Sequence, residues 1–135
     1  MNVTNEIYPN KDQLAGFSEA PEEGPIFMVN MLKFRETASY QDPAENSISG
    51  AEAYERYADA VSDLIQEFGG QIIFSGKVSR LAIGTVDELW DSIAIAQYPS
   101  RRAMWDMTTS PGYQAIAHHR SAGLAGQLNI ETRAL

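Results

Sequence analysis

One run constrains the fold more than any other: Ile26-Phe27-Met28-Val29-Asn30-Met31-Leu32-Lys33-Phe34-Arg35. It is almost continuously apolar and falls far short of the roughly 20 residues that span a bilayer. It also lacks the apolar/polar alternation of a strand with one face in water. Such a run reads as a strand buried on both faces. A strand of that kind needs a layer packed against each side of its sheet, and the rest of the 135-residue chain has to be read with that demand in mind.

Residues 1–25 read as an N-terminal extension in which Asn10 caps a short helix carrying Leu14, Ala15 and Phe17. Pro21 and Gly24-Pro25 stop it. Residues 26–135 form the main domain, with a loop over 36–49. Gly50 to Phe68 is a helix, because Tyr54, Tyr57, Val61, Leu64, Ile65 and Phe68 recur at three- to four-residue spacing. Ser49 caps it, and Gly69-Gly70 ends it. Gln71–Lys77 and Val78–Gly84 read as one long strand bent near Gly76, and Leu89–Tyr98 as the next, with Pro99 as its stop. Ser100 caps a short helix over 101–108. Ser110-Pro111 opens another, running to about Gly123. Gly126–Arg133 is the last strand, with Leu128 and Ile130 on one face.

The order is β-α-β-β-α-β, the ferredoxin-like split pattern with an antiparallel sheet, in the α+β class. Helices cover one face of such a sheet. The twice-buried first strand requires cover on the other, and a chain this short has no second layer to spare. A second copy packed sheet against sheet supplies it, so the expectation is a homodimer.

Composition narrows the chemistry. There are 10 basic and 18 acidic residues, a net charge of −8. That excludes the basic surface a nucleic-acid binder uses. The densest acidic stretch, residues 19–23, reads as solvated charge. No bilayer-spanning run occurs, and Met-Asn-Val-Thr-Asn-Glu has neither the basic nor the apolar region of a leader; a soluble, cytoplasmic protein is expected. With no cysteine, a disulfide framework, a thiolate metal site and a cysteine nucleophile are excluded. No Gly-x-Ser-x-Gly and no phosphate-binding glycine loop is present.

Several short motifs form an ordered set: Val29-Asn30-Met31-Leu32-Lys33-Phe34-Arg35, Gly50-Ala51-Glu52-Ala53-Tyr54-Glu55-Arg56-Tyr57, Gly69-Gly70, Ile83-Gly84, Trp90-Asp91, Tyr98-Pro99-Ser100-Arg101, Pro111-Gly112-Tyr113 and His119-Arg120. With this set the chain resembles the DUF1330 family of the dimeric α/β-barrel superfamily. The resemblance implies a ferredoxin-like protomer and a homodimeric barrel. It implies little about activity, since that superfamily holds haem-degrading and antibiotic-biosynthesis monooxygenases, muconolactone-type isomerases and stress-induced proteins.

Asn30, a buried amide in an apolar strand, either bonds to neighbouring backbone or faces a ligand cavity between sheet and helices. The haem-degrading relatives carry a similar first-strand Asn in their cavity. Lys33 and Arg35 share a strand face and either meet an anionic substrate or bridge carboxylates at the rim. Tyr54 and Tyr57, one helical turn apart, pack in the core or orient a ligand with their hydroxyls; Tyr98 and Tyr113 offer the same. Trp90 and Asp91 open the third strand and point to opposite faces, with Lys33, Arg80 or Arg120 as ion-pair partner of Asp91. His118 and His119 diverge by about 100° on their helix, which is not a shared metal grip. His119, in the family's His-Arg step, is either structural or a general acid/base. Met104, Trp105 and Met107 read as core or dimer contact, or as a flexible pocket wall.

These readings converge on a homodimer that binds a small organic molecule in a cavity between sheet and helices. In its catalytic form it is a cofactor-independent enzyme, monooxygenase- or isomerase-like, with His119 and Asn30 catalytic and Lys33, Tyr54, Tyr57, Trp90 and Tyr98 binding ligand. No metal or cofactor is called for. The rivals are a non-catalytic dimer acting by sequestration or protein contact, and a haem protein with His119 as ligand.

Overall fold

The computed structural model describes residues 1–19 and 24–135. The predicted stop at Pro21 and most of the 19–23 acidic stretch lie outside the described residues. The elements run α1 (Lys11–Ser18), β1 (Ile26–Phe34), a short 3₁₀ turn (Pro43–Glu45), α2 (Gly50–Glu67), β2 (Gln71–Lys77), β3 (Ser92–Tyr98), α3 (Arg101–Thr108), α4 (Pro111–Gly123) and β4 (Leu124–Thr132). The four strands form one antiparallel sheet in the order β2-β3-β1-β4. This is the ferredoxin-like arrangement, the chain being α+β.

The helix starts follow capping chemistry. The side chains of Asn10, Ser49, Ser100 and Ser110 each accept a backbone N–H from the first turn of their helix. Asn10 does so in a reciprocal box with Gln13. Helix α2 buries Ala53, Tyr57, Val61 and Ile65. Tyr57, Val61 and Ile65 meet Ile26 and Met28 of β1, Ala96 and Tyr98 of β3, and Met107 of α3 in the main core, and Ala53 joins a smaller cluster with Ala38, Tyr40 and Ala122. Helices α2 and α4 pack side by side, and Gly123 permits their closeness. A Cβ there would sit 2.5 Å from the Gly50 carbonyl oxygen and 2.7 Å from the Tyr54 nitrogen.

Three sequence expectations need correction. Residues 78–84 are not a strand: β2 stops at Lys77, and β3 starts at Ser92 rather than Leu89. Asp91 is the reason. Its carboxylate accepts the Phe34 N–H at 2.8 Å, which a continuing ladder would have used. Its own N–H goes to the Leu32 carbonyl, and its carbonyl takes the Val78 N–H. Trp90 and Asp91 therefore precede the third strand instead of opening it. Finally, β4 starts at Leu124, directly from α4, with no intervening loop.

The first strand is buried on one face only within a single chain. Ile26, Met28 and Leu32 lie under the helices and are buried, whereas Phe27, Val29 and Met31 on the other face are half-buried. Ladder partners share a face, so Val29 and Met31 continue into Ile95 and Ile93 on β3 and into Ile130 and Leu128 on β4. Phe74 of β2 extends the same row. Phe74 and Ile130 are 54% and 46% exposed. The result is an apolar sheet face that none of the described elements covers.

Candidate functional site

On the opposite face of the same strands, Asn30 stands between Ala94 and Asn129. Ala94 and Ala96 are small where the helices pass overhead, and space remains above them. A cavity of about 1730 Å³ occupies it, lined by Asn30, Tyr54, Tyr57, Tyr98, Tyr113 and Gln127 among others. It opens to the surface past Glu6 and Asp59, both exposed. Met104, Trp105 and Met107 form part of its wall, with Met107 also in the core.

The polar floor is a chain of amides. Asn30 Nδ2 donates to the carbonyls of Met28 and Ala94 at 3.2 and 3.3 Å. Its Oδ1 accepts from Gln127 Nε2 at 3.3 Å. Gln127 Oε1 in turn accepts from Arg120 Nη2 at 2.9 Å. Each buried amide is thereby satisfied. Above the floor, the hydroxyls of Tyr57 and Tyr113 are bonded at 3.1 Å, and the rings of Tyr54 and Tyr57 lie 5.3 Å apart. Burial pushes the Tyr54 phenol up to about 12, against the opposing pull of Arg120. Burial likewise raises Tyr57, reinforced by Tyr113, and raises Tyr98. At neutral pH these hydroxyls stay protonated, so they supply hydrogen bonds rather than a base.

Of the residues singled out from sequence, Asn30, Tyr54, Tyr57 and Tyr98 are brought together here, and Lys33, Trp90 and His119 are not among the lining. Lys33 is held by Glu88 at 3.0 Å, Asp91 at 3.3 Å and the Leu89 carbonyl. Glu88 foremost raises its pKa. Asp91 thus pairs with Lys33, not with Arg80 or Arg120. Trp90 donates its indole N–H to Asn5 at 2.7 Å and ties down the N-terminal segment. His119 Nδ1 is 2.7 Å from the Tyr40 hydroxyl. Burial lowers its pKa, with His118 and Arg56 adding and Glu45 opposing. Of the two histidines, His118 borders the cavity.

Sequence reasoning missed Gln127 and the N-terminal segment. The signal for Gln127 was available: with Leu128 and Ile130 on one face of the last strand, Gln127, Asn129 and Glu131 fall on the other, a polar row on the core side. The segment carried no such signal. Glu6 exchanges both backbone hydrogen bonds with Gln127, Tyr8 lies 5.9 Å from the Arg120 guanidinium, and α1 packs on α3. Residues of this segment, among them Tyr8, Leu14 and Phe17, close one side of the cavity.

Fold and cavity together define a ferredoxin-like α+β protein with a hollow between sheet and helices. The chain belongs to the family described as a domain of unknown function, DUF1330, whose model matches residues 44–131. It is similar to a protein of unknown function from Rhodopseudomonas palustris, with 35% identity over 98% of each chain and a TM-score of 0.86. The methylated form of that protein is 34% identical over 98% of this chain and 97% of that one, with a TM-score of 0.87. A dimeric protein of unknown function and ferredoxin-like fold from Bacteroides fragilis shares 12% identity over 84% of this chain and 100% of its own, with a TM-score of 0.54. That likeness concerns the fold alone. No curated protein matches. Among the described residues no helix is long and apolar enough to cross a membrane, and no three His, Asp or Glu side chains converge as a metal site.

Proposed function

We propose that the protein is a cytoplasmic homodimer that binds a small organic molecule in the cavity between sheet and helices. One observation carries the reading: the cavity has an apolar wall with a few convergent polar groups, the amides of Asn30 and Gln127 and the tyrosine hydroxyls, which is the general make-up of a small-molecule site. The protonated tyrosines favour binding and orientation over proton abstraction. In a catalytic form, isomerase- or monooxygenase-like and without a cofactor, the bonded hydroxyls of Tyr57 and Tyr113 would orient a ligand oxygen above the Asn30 floor. The uncovered apolar face supports pairing sheet to sheet, and the B. fragilis protein of similar fold is described as dimeric.

The test is a thermal-shift screen with small organic molecules on wild type and on Ala94→Leu, which fills the floor. Ligands that raise the Tm of wild type and leave the variant unmoved are the expected result. No shift with any compound, or equal shifts in both proteins, overturns the reading.

A further inference from the structure

Two arginines line the cavity, and they differ. Arg101 is neutralised by Glu131, with Nε and Nη2 on the two carboxylate oxygens at 2.7 and 2.8 Å. Arg120, in the last turn of α4, has no ion pair among the described residues. Among the described residues its guanidinium donates to the neutral amide of Gln127, and the Tyr8 ring lies beside it. One of five N–H donors is committed in this way, and the rest of the fork is left for a planar acceptor. Gln127 is buried and is itself held by Asn30 and by the Glu6 backbone. The guanidinium is thus positioned rather than free to swing. Its charge is felt inside the cavity, where it opposes the upward shift of the Tyr54 and Tyr57 phenols.

We propose that Arg120 is a carboxylate anchor, and that the cavity takes an amphipathic organic monoacid whose apolar or aromatic body lies against Tyr54, Tyr57, Met28 and Met104. The inference rests on the cavity-binding reading above and adds the ligand's class. A carboxylate fits the arginine fork with two parallel hydrogen bonds. A single such fork suits one negative charge. Glu6 and Asp59 at the mouth and a chain charge of −8 disfavour a phosphate dianion.

Matched probes test it: phenylacetate, 3-phenylpropionate and octanoate against their primary amides and against phenyl phosphate, by titration calorimetry at neutral pH. The acids should bind at least tenfold more tightly than the amides, and phenyl phosphate should bind more weakly than the acids. Arg120→Gln should abolish the discrimination between acid and amide. Arg120→Lys, which keeps the charge and loses the fork, should retain part of it, and circular dichroism confirms that each variant is folded. Equal binding of acid and amide, or preference for phenyl phosphate, overturns the anchor and leaves the cavity reading standing. Failure of every probe, acids and amides alike, counts against both.

Discussion

The two faces of the sheet are built on opposite plans from the same strands. The face under the helices carries Asn30, Ala94, Ala96, Gln127 and Asn129: small or polar, and hydrogen-bonded into a floor. The uncovered face carries Phe27, Val29, Met31, Ile93, Ile95, Leu128 and Ile130, with Phe74 at the edge. The covered face also holds the large apolar core residues Ile26, Met28 and Leu32, so its polar floor is a patch within a core, whereas the open face keeps large apolar groups where a lone chain would keep polar ones. Here the covered side is left hollow above hydrogen-bonded amides, and the open side is an apolar ledge. On the function proposed above, the difference has one meaning: the hollow face takes a ligand and the ledge takes a second sheet.

The harshest way to break this comparison is a charge at the centre of the ledge. Val29 has Ile95 and Ile130 as ladder neighbours, and Val29→Lys puts an ammonium where two sheets would meet. Burying it unpaired costs several kcal/mol, so sedimentation velocity at micromolar concentration should show a monomer that remains folded. A variant that stays dimeric would remove the ledge from the account. On the hollow face, Asn30→Leu leaves the Gln127 amide without its acceptor and should lower stability by about 1–3 kcal/mol in urea unfolding, without changing the oligomeric state. The two substitutions sit one residue apart and should fail in different assays.

A third test concerns the cavity's neutralised cation. Arg101 foremost lowers the pKa of Glu131 from its ordinary 4.5. A carboxylate whose folded pKa is depressed contributes stability at pH above that ordinary value, and the contribution is lost as pH falls through the folded value. Glu131→Gln should therefore cost about 1–2 kcal/mol at pH 7 and progressively less in acid. The smallest effect belongs to His119. Its pKa is lowered from 6.5, so the unfolded chain takes up the proton more readily. Stability should fall as pH drops below about 6.5 and level off below the folded value. His119→Gln should flatten that part of the pH–stability curve and leave ligand affinity unchanged.

The architecture was legible because it is written in local chemistry. Four capping side chains, the proline start at Pro111 and the period of α2 mark the helices, and the dense apolar run marks the central strand. The ledge too was implied by that run, whose second face finds no cover among the described residues. What failed was non-local. Val78, Leu81 and Ile83 look like strand residues, yet Ile83 is 91% exposed, because Asp91 captures the Phe34 N–H and ends the ladder. Trp90 and Lys33 were assigned to the site as prominent side chains, but their partners, Asn5 and Glu88, lie at separations that no spacing rule reveals. Which of two adjacent histidines faces the cavity depends on the rotation of α4 about its axis, and that helix has no strong apolar stripe to fix it. Tyr8 and Arg120 are brought together only when the N-terminal segment pairs through Glu6 with β4.

The most direct measurement is a crystal structure of the protein soaked with phenylacetate, since it reads both faces at once. It should show the carboxylate on Arg120 with the ring among Tyr54 and Tyr57, and a second chain seated by two-fold symmetry over Val29 and Ile95. An empty or side-chain-filled cavity, or a sheet face left bare to solvent, would contradict the account.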